Sequence, residues 1–204
     1  YRRSSLITIS ANAFCQRLLG PEPALDEAEG EFRTLLEEVD DRYRTARLTF
    51  PHDYGVELAT AQALYTIVRL RRPRVVLETG VANGHSSFFI ASALLRNGSG
   101  VLKSVDITDR VGGLLNGPER SVWELLVLDH NNVRADFRKI VASVGPIDLF
   151  VHDSDHGYEW QTFELRAVTG DMSRDSIIAC DDADHSYAFL DYCRKYDARP
   201  VSLV

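Results

Sequence analysis

The residues of this chain best equipped for chemistry lie in two short polar clusters, each directly after an apolar run. Residues 151–158 read Val-His-Asp-Ser-Asp-His-Gly-Tyr, and residues 179–185 read Ala-Cys-Asp-Asp-Ala-Asp-His. Several carboxylates held together are electrostatically costly unless a cation joins them. Oxygen donors favour a hard ion such as Mg²⁺, which keeps some waters or takes substrate oxygens. His156 stands three residues after Asp153. An imidazole with a pKa near ~6.5 suits proton removal at neutral pH. In a continuing strand His152 points the opposite way from Asp153, towards packing. Asp155 reads as a solvated or helix-capping acid, Asp184 and His185 as the start of a helix or the border of the site. Tyr158 and Trp160 read as core or pocket wall.

A second stretch has the form of a ligand-binding loop. Residues 75–86 read Val-Val-Leu-Glu-Thr-Gly-Val-Ala-Asn-Gly-His-Ser. The apolar run is a buried parallel strand, and a helical pattern begins at about His85. Glycines at a strand end let backbone approach a ligand closely, and the helix offers free N–H groups and a positive dipole end. The spacing is Glu-x-Gly-x-x-x-Gly, not the Gly-x-Gly-x-x-Gly of dinucleotide sites. Glu78 would repel a pyrophosphate and suits a ligand bearing an amino group. His85 and Ser86 either contact the ligand or cap the helix.

This loop resembles motif I of the class I S-adenosylmethionine (SAM) methyltransferases. Residues 100–107 (Gly-Val-Leu-Lys-Ser-Val-Asp-Ile) are similar to that family's second strand, whose terminal acid, here Asp106, holds the ribose hydroxyls. The resemblance implies a Rossmann-like, doubly wound α/β fold with a mainly parallel sheet. It also implies SAM contacts from Glu78, Gly80, Val81, Gly84, His85, Ser86, Asp106 and Asp153. The two polar clusters resemble the metal site of catechol-type O-methyltransferases, sugar O-methyltransferases and cephalosporin-hydroxylase-like proteins. That likeness makes Asp153, Asp181 and Asp182 the ligands of a divalent metal, with Mg the expected ion. Asp182 stands where the catechol enzymes have Asn, and His156 where they have a catalytic Lys. His156 is then the expected general base, with Asp153 beside it. The resemblance covers roughly residues 55–200; sheets of that family usually carry a seventh, antiparallel strand, here either missing from the sequence or disordered.

Composition fits such a domain. A chain of 204 residues, 45% hydrophobic and 26% charged, can bury a full core. Its net charge of −7 argues against nucleic-acid binding. The basic cluster Arg69, Arg71, Arg72 and Arg74 marks a helix end before Pro73. No run reaches the ~18 apolar residues of a membrane span, and no signal-peptide pattern is legible, although the chain opens at Tyr1 rather than Met. Three separated cysteines, Cys15, Cys180 and Cys193, suggest reduced thiols and a cytoplasmic setting.

The periodicities supply the elements that must position these residues. The expectation is one domain, 1–204, with a helical cap over 1–70 and a Rossmann-like core over 74–204. Helices are expected at 11–19, with Ser10 as N-cap and Gly20 as stop, and through 25–43 on an apolar stripe of Leu25, Ala28, Phe32, Leu35, Leu36, Val39 and Tyr43. Another carries Leu58, Ala61, Leu64, Tyr65 and Val68. Strands at 75–79, 101–106, 123–128, 147–152 and 176–180 alternate with helices at 86–96, 131–143, around Trp160, Phe163 and Ala167, and at 186–196. A last strand is expected near 200–204. Residues 112–118 read as a mobile lid or a long connection, and His130 and Asn131 as adenine contacts by family position.

The expected activity is SAM-dependent, Mg-assisted methyl transfer to a hydroxyl of a small acceptor: a sugar, a catechol-like compound or a natural product. Two other readings stay open. His-Asp-x-Asp-His and Asp-Asp-x-Asp-His could build the two-metal centre of a metallohydrolase. A non-catalytic SAM-binding protein is also compatible, with the first 70 residues as a surface for homo-oligomerisation.

Overall fold

The computed structural model describes residues 10–203. Three helices come first: α1 (Ala11–Leu19), α2 (Leu25–Thr45) and α3 (Leu58–Arg71). Five strands then alternate with four helices: β1 (Val75–Thr79), α4 (His85–Asn97), β2 (Val101–Asp106), β3 (Trp123–Val127), α5 (Val133–Val144), β4 (Ile147–His152), α6 (Tyr158–Val168), β5 (Met172–Cys180) and α7 (Ala188–Tyr196). The sheet order is β3-β2-β1-β4-β5 and every pairing is parallel. This is the expected Rossmann-like α/β architecture.

Alternation along the strands sends side chains to two cores. Val76, Leu102, Leu149 and Val151 face α1 to α4, where Phe32, Tyr65, Phe88 and Phe89 pack. Leu77, Val105, Ile147 and Phe150 face α5 and α6, against Phe137, Phe163 and Leu165. Chain order reverses direction at β1, which pairs with β2 on one side and β4 on the other. Such a switch opens a crevice at the carboxyl ends of the strands. Both polar clusters and the glycine loop end there.

The first helix keeps its expected caps: the Ser10 hydroxyl accepts from Ala13 N at 3.2 Å, and Gly20 stops the helix at φ 89°. In α3 the expected Leu58 contact fails, because Leu58 sits in the first turn and is 53% exposed. The helix instead also buries Ala63, Thr66 and Ile67, since it lies between α1, α2 and α4. The arginines at its end are tied individually. Arg69 pairs with Glu31, Arg72 donates to the Asn97 carbonyl at 2.6 Å, and Arg71 donates to the Asp175 carbonyl at 3.2 Å.

Two expectations need correction. The fifth strand starts at Met172, four residues before Ser176, and a register irregularity opposite residues 147–149 accommodates the polar Ser173, Arg174 and Asp175. No strand forms over residues 200–203, which have no ladder partner; Leu203 packs on the core instead. Val204 lies outside the described residues. Residues 112–118 are a packed connection rather than a lid. Leu114 and Leu115 are fully buried, Gly112 N donates to the Ala82 carbonyl, and Arg42 donates to the Leu114 carbonyl at 2.7 Å.

Candidate active site

The loop after β1 is organised from beneath by Glu78. Its carboxylate is 0% exposed and accepts from the hydroxyls of Ser86 (2.7 Å), Ser87 (2.6 Å) and Ser104 (2.6 Å). Burial raises its pKa and the three hydroxyl bonds oppose that rise. Glu78 thus joins β1 to β2 and to the first turn of α4. Ser86 serves this carboxylate instead of capping the helix. The N-cap is Gly84 at φ 88°, and no side chain caps the first turn. Gly80 takes φ 80°, and a Cβ there would overlap the Asp153 carbonyl oxygen; at Gly84 it would strike the Leu115 side chain. Both glycines therefore admit neighbouring chain segments, and what they present to a ligand is backbone.

Asp106 closes the loop from the side. One oxygen accepts from Val81 N at 3.0 Å, the other from Ile107 N (2.7 Å) and Thr108 N (3.2 Å). A carboxylate has about four acceptor sites, so capacity remains for a ligand hydroxyl. His85 is turned towards the cap. Its Nδ1 lies 3.0 Å from the Tyr43 hydroxyl, and burial lowers its pKa. Sequence reading missed Asn83, which is 2% exposed and exchanges hydrogen bonds with Phe50 N, Phe50 O and Pro51 O. It fastens the 50–55 loop to the glycine loop. His130 and Asn131 fall in an exposed turn after β3, where Asn131 N donates to Asp129 at 2.9 Å.

The structure brings Asp153, His156, Asp181 and Asp182 together at the ends of β4 and β5. Asp153 N donates to the Thr79 carbonyl and Asp181 N to the His152 carbonyl, each at 2.9 Å, extending the ladder past the strand ends. His156 Nε2 is 3.9 Å from Asp153 Oδ1 and 3.7 Å from Asp182 Oδ2. Burial, then the neighbouring Asp181, pushes the Asp153 carboxyl up to about 8. Burial, then Glu57 and Asp182, pushes Asp181 to about 6. Burial lowers the His156 pKa, partly offset by Asp182, so its neutral form is favoured. Glu57, just before α3, is a fourth carboxylate acting on this pair that the sequence did not single out. Among the described residues no three His, Cys, Asp or Glu side chains form a ready-made metal cluster. The donor chemistry still suits a hard cation, because two crowded, desolvated carboxylates are relieved by a positive charge between them.

Beneath the cluster lies a buried network that sequence reading also missed. Glu164, 1% exposed, accepts from Thr79, His152, Ser154 and Trp160. The signal was present: Glu164 interrupts the i, i+4 row Trp160, Glu164, Val168 of an otherwise buried helix face. Tyr158, expected as core or wall, is 47% exposed and donates to Asp191 at 3.1 Å.

Solved structures similar to this chain include several methyltransferases. An O-methyltransferase from Bacillus cereus in complex with SAH shares 14% identity at a TM-score of 0.56, covering 93% of this chain and 86% of its own. TomG from Streptomyces achromogenes, involved in tomaymycin synthesis and solved with SAM, shares 20% identity at 0.54, covering 91% and 81%. MycE of the mycinamycin biosynthetic pathway, in complex with Mg and SAH, shares 17% at 0.50, covering 76% of this chain and 38% of its own. At such identities the likeness is one of fold. No curated protein matches the sequence. A family profile described as a methyltransferase domain matches residues 77–183, from the loop strand through both acidic clusters and over half of the chain; the protein belongs to this methyltransferase family.

Proposed function

We propose that the protein is a SAM-dependent O-methyltransferase acting on a hydroxyl of a small molecule, assisted by a divalent metal, Mg²⁺ being the ion its donors suit. The observation that carries this reading is the convergence of Asp153, His156, Asp181 and Asp182 beside the Gly80 loop, with His156 Nε2 facing two carboxylates at 3.9 and 3.7 Å. TomG and the Bacillus cereus enzyme, with their bound SAM and SAH, support the cofactor, and MycE with its Mg supports the metal. Glu78, Gly80, Val81, Gly84, His85, Ser86, Asp106 and Asp153 form the proposed cofactor site. Glu78 acts in it by holding the loop through Ser86, Ser87 and Ser104, and Asp106 by its remaining acceptor capacity. Asp153, Asp181 and Asp182 are the proposed metal ligands. The reading treats residues 1–204 as one domain, with 1–70 as a helical cap on a 74–204 core.

SAM supplies an electrophilic methyl group, and a metal held by the three carboxylates would lower the pKa of the acceptor hydroxyl. His156 Nε2 takes the hydroxyl proton, the oxygen forms the new O–CH₃ bond, and the sulfonium loses its charge with the methyl. The proton leaves His156 to solvent afterwards. The loop and the carboxylates hold acceptor and methyl donor in line, an arrangement worth roughly 7–11 kcal/mol at best. Among the described residues no helix is long and apolar enough to cross a membrane. The free thiols of Cys15, Cys180 and Cys193 suit the cytoplasm proposed here.

The test has two parts. SAM is titrated calorimetrically into the protein with Mg²⁺ and again with EDTA, and methyl transfer is then followed on a panel of catechols and vicinal-diol sugars. Binding that survives EDTA, with turnover that does not, is the expected pair of results. Metal binding without SAM binding in either condition would move the assignment to a metallohydrolase.

A further inference from the structure

The arginines where α3 runs into β1 border a cavity that the proposed methyl transfer does not use. It has a volume of about 400 Å³ and lies at the amino ends of β1, β4 and β5. Its floor is apolar: Ile67 and Leu149 are buried, and Ile177 packs on the same core. Arg71, Arg72, Arg74 and Arg174, all exposed, stand around it with Asp148 and Asp175. The crevice described above opens at the opposite ends of these strands. From Asp148 to Asp153 the extended chain covers roughly 15 Å, so the two places share no residue.

The charges around this cavity do not cancel. Asp148 is engaged by its own surroundings: one oxygen accepts from Arg74 N at 2.8 Å and Val75 N at 3.2 Å, the other from the Ser173 hydroxyl at 2.8 Å. Arg74 Nε stands 3.8 Å from it, on a side chain that is 80% exposed. Arg71 donates to the Asp175 carbonyl at 3.2 Å, and Arg72 to the side-chain oxygen and the carbonyl of Asn97 at 3.4 and 2.6 Å, all neutral acceptors. Arg174 has no partner among the described residues. A guanidinium has five N–H donors, so donors remain unused on each of these side chains. A bulge in β5 places Arg174 here. While β4 advances from Ile147 to Leu149, β5 advances from Met172 to Ile177, and the extra residues leave the ladder. Bulges re-aim side chains, and this one is fastened to the cavity wall by the Ser173 bond to Asp148 and the Arg71 bond to the Asp175 carbonyl. The carboxyl end of α3 and the two aspartates oppose an anion, but four guanidinium groups outweigh them.

We propose that this cavity is a second ligand site, for a small organic oxyanion: a phosphate monoester or a carboxylate carried on an apolar body. Guanidinium forks match both oxyanions in bidentate geometry. Ile67, Leu149 and Ile177 take the body of the ligand, and the volume falls in the range of small-molecule sites. A bare inorganic ion would leave that apolar floor uncovered. A nucleic-acid backbone is disfavoured by the net charge of −7. The site goes beyond the proposed methyl transfer and does not depend on it.

The test is a titration followed by backbone ¹H–¹⁵N spectra, with phenyl phosphate, benzoate, inorganic phosphate and phenol as the probes. Phenyl phosphate or benzoate is expected to shift the amides of residues 71–75, 148–149 and 173–177, and to bind ~10-fold or more tighter than inorganic phosphate or phenol. Whichever of the two binds tighter names the oxyanion. Arg174→Glu removes a side chain with no partner to lose, so the thermal midpoint should stay unchanged while the affinity for that probe falls ~10-fold or more. Inorganic phosphate binding as tightly as phenyl phosphate would mean an adventitious ion only and overturns the proposal. So does an absence of shifts at these residues, or an affinity that Arg174→Glu leaves unchanged. The wild-type titrations decide even if the variant fails to fold. Neither SAM nor a methyl acceptor takes part, so failure here is distinct from a failure of methyl transfer.

Discussion

His156 and Gly80 show how much rests on single residues in this site. His156 is 23% exposed, close to two carboxylates, and buried enough to be held neutral. Replacing it by Ala is expected to cut turnover on the order of 10²-fold or more while leaving SAM affinity within a small factor. Single-turnover kinetics with a substrate from the acceptor panel checks this, and unchanged turnover would remove the base role. Gly80 adopts φ 80° with its missing Cβ directed at the Asp153 backbone. In Gly80→Ala the left-handed backbone alone costs roughly 1–2 kcal/mol, and the overlap must also displace Asp153. Urea melts should show a loss larger than that figure, together with weaker SAM binding. A loss of stability with SAM affinity intact would separate the loop's packing from its ligand role.

At the scale of elements, the cap is joined to the core by two ion-pair systems. Arg42 of α2 reaches Glu119 through two bonds, at 2.9 and 2.8 Å, and stacks on Phe88 at 4.6 Å. Both side chains are almost fully buried. Arg42→Met strands the Glu119 carboxylate, and breaking such a pair costs about 3–5 kcal/mol. Chemical denaturation should recover much of that loss in the double variant with Glu119→Gln. Glu31 of α2 joins α3 and α4 by accepting from Tyr65, Arg69 and Arg96. The Arg69 bond chiefly holds its carboxyl at about 2, below the ordinary 4.5. A depressed acid stabilises the fold above its unfolded pKa and loses that contribution as pH falls through the folded value. The stability gap between wild type and Glu31→Gln should thus be constant above about pH 5. It should narrow as pH falls from 4.5 towards 2. A gap independent of pH over that window would refute the assignment.

With the proposed cofactor site at the switch point of the sheet, between helices packed on both its faces, SAM binding should report on global stability. SAM at about 100 times its Kd should stabilise the fold by ~2.7 kcal/mol, a rise in Tm of roughly 5–10 °C for a domain of this size. A thermal melt with and without SAM tests this, and no shift at saturating SAM would count against a native cofactor site. The net charge of −7 concentrates partly at the carboxyl ends of β4 and β5, where Asp153, Asp181, Asp182 and Glu57 repel one another. That placement favours cations and disfavours anionic acceptors near His156.

Most of the sheet was legible in the chain because buried parallel strands are continuous apolar runs; β1, β2 and β4 need no partner to be recognised. The start of β5 was not, since residues 172–175 mix Ser, Arg and Asp and become strand only by pairing with β4. The expected strand near residue 200 shows the converse, an apolar stretch with no ladder to join. The same division runs through the site. Order along the chain placed Asp153, His156, Asp181 and Asp182 at strand ends, because the carboxyl end of each parallel strand faces the same side. What lies behind those residues depends on distant partners: Glu164 under His152, Glu57 against Asp181, Asn83 holding the 50–55 loop, and the glycines admitting Asp153 and Leu115. Sequence alone determined which chemical groups meet at the crevice, through local periodicity and parallel topology. Only the tertiary structure decided their burial and the direction in which their pKa values move, because those follow from desolvation and from charged and hydrogen-bonding partners that folding brings together.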